Sequence, residues 1–167
     1  MSLNFVPEYY FRVFSDASAE FLTSIGVKGI VLDIDNTLEP YENPVPGEAV
    51  LNWFESLKNA GISAAFVSNN GRERVELFNS ELNFPYYYKS KKPFKTKVLA
   101  ALSNMGVKPC EAILMGDQVF TDVWAAHNAG IRAILLPPIK DKTDVFTRFK
   151  RLLEVPVLKT YEKRNNK

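Results

Sequence analysis

Short, wholly apolar runs alternate along the chain with longer segments in which apolar residues return every three or four positions. The runs are Ile30-Val31-Leu32, Ala64-Ala65-Phe66-Val67, Ala112-Ile113-Leu114-Met115 and Ala133-Ile134-Leu135-Leu136. Runs without alternation are expected of strands buried on both faces. Between them, Glu48 to Ala60 carries Val50, Phe54 and Leu57 at helical spacing, with Gly61 as a stop signal. Arg72 to Leu82 carries Val75, Phe78 and Leu82, and Thr96 to Met105 carries Val98, Leu99, Leu102 and Met105 before Gly106. Thr121 to Ala129 reads as a helix stopped by Gly130, and Tyr86-Tyr87-Tyr88 as a short additional strand. Asp144 is placed to cap a last helix bearing Val145, Phe149, Leu152 and Leu153. The alternation predicts an α/β fold: a three-layer α/β/α sandwich around a mostly parallel five-stranded sheet.

The aromatic stretch Phe5 to Phe14 reads as a short helix packed on the sheet. A helix lying in a membrane interface would carry more Lys and Arg than the lone Arg12. The expected organisation is one domain over 1-167, with an N-terminal helical segment to about residue 26, a core of about 27-138, and a C-terminal helix and tail from about 139.

Bulk properties narrow the function classes. A chain of 167 residues, 46% of them apolar, is one domain with a real core. A net charge of +2 with no dominant basic segment does not point to nucleic acid. Lys159 to Lys167 is basic but reads as a frayed tail. Single Cys110 and single His127 leave no disulfide and no Cys/His zinc cluster. No segment approaches the roughly 18 apolar residues of a membrane span, and the N-terminus lacks the pattern of a signal peptide. A soluble, cytoplasmic protein is expected.

The chemistry concentrates where the apolar runs stop. Asp33-Ile34-Asp35-Asn36-Thr37 follows the first run. Carboxylates one residue apart on a strand point the same way and repel unless a cation or shared proton offsets them. Mg²⁺, a hard cation preferring oxygen ligands, is the usual offset. The same pentad also reads as a turn capping the next helix. Ser68-Asn69-Asn70 follows the second run, and Gly116-Asp117 the third, with Thr121-Asp122 shortly after. Lys92-Pro93 closes a polar, basic stretch. Strand ends of one sense in an open parallel sheet face a common crevice, where ligands bind.

These four motifs, in this order, resemble those of the haloacid dehalogenase (HAD) superfamily of phosphohydrolases: Asp-x-Asp-x-Thr, Ser, Lys, and Gly-Asp-x-x-x-Thr-Asp. The resemblance runs from about Gly29 to about Pro137 and implies the HAD-like, Rossmann-type form of the sandwich. More narrowly, Lys28-Gly29-Ile30, Asp35-Asn36-Thr37-Leu38 and Gly116-Asp117-Gln118 are similar to the YqeG-type capless (subfamily IIIA) phosphatases. These in turn are similar to phosphatidylglycerophosphate phosphatases.

The resemblance implies Asp33 as nucleophile forming an aspartyl-phosphate, and Asp35 as the acid that protonates the leaving oxygen and then activates water. It implies Mg²⁺ held by Asp33, Asp117 and the main-chain carbonyl of Asp35. Ser68, assisted by Asn69, would bind a phosphoryl oxygen, and Lys92 would neutralise phosphate charge, a role for which Lys89, Lys91 and Lys95 compete. Thr37 would fix its loop through hydrogen bonds. Asp122 reads either as support for the site, holding the lysine, or as an ordinary helix residue. His127 reads as packing or surface.

Only about a dozen residues separate Asp35 from the helix near Glu48, and one helix and a short strand fill the chain from Ser68 to Lys92. Neither insertion point holds a cap domain. An open site suits bulky phosphorylated substrates, among them a phospholipid headgroup at a membrane surface, with a second subunit as one way to exclude water. Glu39 and Glu42 on the neighbouring flap disfavour anionic polymers, so no nucleic acid is expected. Two other classes remain: a receiver-like signalling domain, whose acids would be adjacent rather than one apart, and a non-catalytic metal-binding protein of the same fold.

Overall fold

The computed structural model describes residues 4–140 and 145–165, the side chains of 145–151 excepted. The expected Asp144 cap lies outside the described residues. Among these residues six strands, all paired in parallel, form one sheet: β1 (Tyr9–Tyr10), β2 (Gly29–Leu32), β3 (Ser63–Val67), β4 (Tyr86–Tyr87), β5 (Ala112–Gly116) and β6 (Arg132–Leu135). Their order is β1-β6-β5-β2-β3-β4. The helices are α1 (Ala19–Ser24), α2 (Glu48–Asn59), α3 (Arg72–Asn79), α4 (Thr96–Met105), α5 (Trp124–Asn128) and α6 (Val145–Asn165).

The sixth strand corrects the expected five. Tyr9 and Tyr10 do not belong to a helix. They pair with Ile134 and Leu135 at the sheet edge, and the helical part of the N-terminal segment is α1, capped by the Ser18 side chain accepting from Phe21 N–H. A two-residue strand is too short for any periodicity to betray it. Its aromatic neighbours are core: Tyr9, Phe11 and Phe21 meet ring to ring.

The apolar runs are buried on both faces, as expected. Ile30, Leu32, Phe66, Ile113 and Met115 pack under α1, α2 and α3, while Val31, Ala65, Val67 and Leu114 pack under α4 and α5. In α6, Val157 and Leu158 meet the second of these cores. Leu152 and Leu153, read as apolar-face residues, are instead exposed. No helix among the described residues is long and apolar enough to cross a membrane.

His127 on α5 clasps the N-terminal segment. Its Nδ1 lies 2.6 Å from Asn4 O and its Nε2 3.1 Å from Glu8 Oε2. Both ring nitrogens face acceptors, which only imidazolium satisfies. Burial lowers the His127 pKa, but the bonds to Glu8 and Asn4 outweigh it, and the net shift is upward from 6.5. Burial raises Glu8, but His127 and the Ala133 N–H outweigh it, and the net shift is downward from 4.5. The His127 contribution is therefore complete below pH 6.5 and fades as pH rises through its raised value. The Glu8 contribution is complete above pH 4.5 and fades on acidification. His127→Ala is expected to cost about 1–2 kcal/mol near pH 6 and distinctly less by pH 8.5. Urea melts of both proteins across that range check it; a gap that does not narrow with rising pH contradicts the charged clasp.

Candidate active site

Leu32 is in register with Phe66 on one side and Met115 on the other, so β2, β3 and β5 run out at one level. That places Asp33, Ser68 and Asp117 around one crevice, with exposures of 7%, 1% and 2%. Beyond Asp33, whose N–H still donates to Met115 O, the chain turns sharply. Asn36 takes a φ of 61°, a left-handed conformation that Asn tolerates better than most residues. The turn closes through Leu38 N to Ile34 O (3.0 Å) and Asn36 N to Glu39 O (2.7 Å). Thr37 joins this turn through its backbone rather than its side chain. Its buried hydroxyl has no hydrogen-bond partner among the described residues, and the loop is held by backbone bonds, Thr37 N to Ile34 O included.

Lys92 lies at the centre. Its Nζ is 2.6 Å from Asp122 Oδ1 and 2.9 Å from Asp33 Oδ1, with the side chain 2% exposed. Burial alone would lower its pKa, but the two carboxylates reverse this, and the ammonium is held firmly charged. Burial raises the Asp122 carboxyl, and Asp33 adds to that; Lys92 pulls it down, and the balance lies above the usual carboxylate range. Lys89, Lys91 and Lys95 are exposed.

Asn69 is turned toward the lysine loop. Its Oδ1 accepts from Ser90 Oγ (2.9 Å) and Lys92 N (2.8 Å), and its Nδ2 donates to Lys92 O (3.3 Å). All this uses the amide for positioning Lys92. Ser68 Oγ accepts from Asn70 N at 3.1 Å, which leaves the hydroxyl proton to donate.

Asp122 sits not on a regular helix but in a π-turn, Val119–Val123, that precedes α5. Its Oδ2 accepts from Gln118 N at 3.0 Å while Oδ1 takes Lys92. It packs so close to Gly116 that a β-carbon there would overlap its carboxyl carbon. Gly116→Ala is therefore expected to push Asp122 off Lys92 and to lower stability by roughly 2–4 kcal/mol. Chemical denaturation checks this; a variant as stable as the parent contradicts it.

Three residues here carried no role in the sequence reading. Asn70 Nδ2 donates to Asp35 Oδ2. Arg74 donates from Nε to Asp35 Oδ1 at 2.9 Å, and its Nη2 lies equally near that oxygen without hydrogen-bond geometry. Arg74 Nη1 also donates to Pro44 O. Burial raises the Asp35 pKa, Asp33 adds to this, and Arg74 and Asn70 only partly oppose it, so the net shift is upward. Glu154 of α6 accepts from Val119 N at 3.0 Å and ties the last helix to the π-turn. The signal for Arg74 was legible: a cation in the first turn of α3 runs against the helix dipole and needs an anion nearby. Glu154 gave no such signal.

Carboxylate oxygens of Asp33, Asp117 and Asp122 lie within 4.8 Å of one another. Lys92 offsets one of these three buried charges. The residual negative charge, on hard oxygens alone, fits a divalent cation.

Comparison with known proteins agrees with this geometry. The sequence pattern of the haloacid dehalogenase-like hydrolases matches residues 28–136. A Bacillus subtilis (strain 168) protein described as probable phosphatase YqeG is 33% identical over 162 residues, covering 97% of this chain and 94% of its own. Phosphoglycolate phosphatase of Aquifex aeolicus (strain VF5) is 32% identical over 107 residues, covering 56% of this chain and 50% of that one. Among solved structures, CbbY from Rhodobacter sphaeroides in complex with phosphate superposes with a TM-score of 0.57 at 15% identity, over 72% of this chain and 90% of that one. The cobalt-bound deoxy-D-mannose-octulosonate 8-phosphate phosphatase from Haemophilus influenzae gives 0.54 at 13%, over 83% and 91%.

Proposed function

The chain belongs to the haloacid dehalogenase-like hydrolases and is a phosphatase, and on that footing we propose that it hydrolyses phosphomonoesters through an aspartyl-phosphate on Asp33, with Mg²⁺ as cofactor. The observation that carries this reading is Lys92, buried between Asp33 and Asp122 at the end of the central strands. A nucleophile beside a fixed ammonium meets a phosphoryl group whose charge is already offset.

In the proposed reaction an Asp33 oxygen attacks phosphorus while the bond to the leaving oxygen breaks. Asp35 gives that oxygen its proton. Asp35 then takes a proton from water, which attacks the phosphorus, releases inorganic phosphate and restores Asp33. Ser68 donates its hydroxyl proton to a phosphoryl oxygen. Asn69 holds Lys92 in place, and Asp122 anchors the ammonium. Asp33, Asp117 and the main-chain carbonyl of Asp35 would hold Mg²⁺, which supplies further charge stabilisation at the phosphoryl oxygens. Among the described residues no cap covers the crevice, which favours a bulky substrate. Phosphatidylglycerophosphate, presented at the cytoplasmic face of a membrane, heads the candidates because the motifs resemble those of the YqeG-type phosphatases and, through them, of its own phosphatases.

Phosphate release from p-nitrophenyl phosphate, sugar phosphates, nucleotides and phosphatidylglycerophosphate in mixed micelles tests the reading, with Mg²⁺ and with EDTA. Turnover abolished by EDTA and restored by Mg²⁺ is expected. Release that ignores the chelator would rule out the metal role.

A further inference from the structure

Beside Asp35, outside the buried carboxylate cluster, opens a cavity of about 560 Å³ lined by Tyr41, Asn70, Gly71, Arg72, Glu73, Arg74, Tyr88 and Lys89. Two of its walls, Asn70 and Arg74, are the partners of Asp35. A leaving oxygen that takes its proton from Asp35 therefore lies next to side chains that line this cavity.

Its lining gathers three cations, Arg72, Arg74 and Lys89. Arg72 and Arg74 both stand in the first turn of α3, where cations oppose the helix dipole and are stabilised only by negative charge nearby. The N-cap is Gly71, with no side chain capping the helix, so the N-terminal N–H groups of α3 border the cavity without side-chain competition. Lys89 adds a third cation and has no side-chain ion pair among those found in the described residues. The guanidinium of Arg72 lies over the Tyr88 ring at 5.9 Å and that of Arg74 over Tyr41 at 5.8 Å, which fixes both cations against the walls. Three acids oppose this charge, the first being Asp35, whose Oδ1 holds Arg74 at 2.9 Å. Glu73 lines the cavity, and Glu76 pairs with Arg72 at 2.7 Å. That pair is solvent-exposed, of the kind that contributes little and exchanges readily for a stronger anion. Planar guanidinium groups match the oxygens of phosphate better than a single carboxylate does.

We propose that this cavity is the leaving-group subsite and that it binds a second phosphate carried by the same substrate. The inference rests on Asp35 being the leaving-group acid. It narrows the substrate from any phosphomonoester to one bearing two phosphates on a short scaffold. A soluble bisphosphate and a phospholipid headgroup with its own phosphodiester share that chemistry.

The test compares kcat/KM for matched pairs: propanediol bisphosphate against propyl phosphate in solution, and phosphatidylglycerophosphate against a monophosphorylated lipid alcohol in mixed micelles. Each is run with the wild type and with an Arg72→Gln, Lys89→Gln double variant. The wild type is expected to favour the doubly phosphorylated member by about tenfold or more, as expected for charge-assisted contacts, and the variant to bring that ratio close to one. A preference confined to the soluble pair names a soluble bisphosphate; one confined to the micelle pair names a lipid. Ratios near one in the wild type on both pairs overturn the inference and leave the phosphatase reading standing. An equal loss on both members in the variant overturns it too. No phosphate release from any member would instead overturn the phosphatase reading itself.

Discussion

Asp33→Asn is expected to lower phosphate release by at least about a thousandfold with every substrate tested, while the protein keeps its fold. Asn matches Asp in shape and can still accept from Lys92 Nζ, which stands 2.9 Å from Oδ1. The amide is a far weaker nucleophile than the carboxylate, and no aspartyl-phosphate can form at position 33. Removing one charge also relieves repulsion among Asp33, Asp117 and Asp122, whose oxygens lie within 4.8 Å of one another. Stability should therefore stay level or rise slightly. The decisive measurement pairs initial rates with acid-quenched labelling from a radioactive phosphodonor. Wild-type protein should carry acid-stable, base-labile phosphate and the variant none. Full activity in the variant would show that another group attacks phosphorus.

Lys92→Met is expected to have the largest effect on stability, a loss of roughly 3–5 kcal/mol, or of order 10 °C in melting temperature. The ammonium is buried against two carboxylates, and a thioether of similar length leaves both without compensation. Activity should fall as well, since the phosphoryl charge loses its fixed counter-ion. One further result separates electrostatics from simple packing. A divalent cation can replace part of the missing charge, so millimolar Mg²⁺ should stabilise the variant more than the wild type. Thermal melts with Mg²⁺ and with EDTA measure this. A variant as stable as the parent, or one indifferent to the metal, would mean that Lys92 does not neutralise the acids.

Much of this molecule can be read from sequence because two local rules act without help from distant residues. Buried parallel strands must be continuously apolar, so β2, β3, β5 and β6 announced themselves, and helices with one apolar stripe announced α2, α3 and α4. β1 did not, because Tyr9 and Tyr10 become a strand only when the edge of β6 is there to pair with them. The region after Asp117 misled for a related reason. Its apolar residues fit a helix, but Val119–Val123 takes a π form, with Asp122 packed against Gly116 and Val119 N–H donating to Glu154.

For the site, the sequence by itself determined the cast: which acids, which serine and which stretch of lysines stand at strand ends. It also determined that neither insertion point holds a cap, since too few residues separate Asp35 from Glu48 and Ser68 from Lys92. The tertiary structure decided the assignments among near neighbours. Four lysines lie between Lys89 and Lys95, and Lys92 is the one buried among carboxylates. Asn69 and Asn70 are adjacent, yet one clamps the lysine loop and the other meets Asp35. Arg74 reaches Asp35 across 39 positions of chain. The reason is physical: strand and helix periodicities are set by residues a few positions apart, whereas the direction of a polar side chain is set by whichever partner the fold brings within about 3 Å.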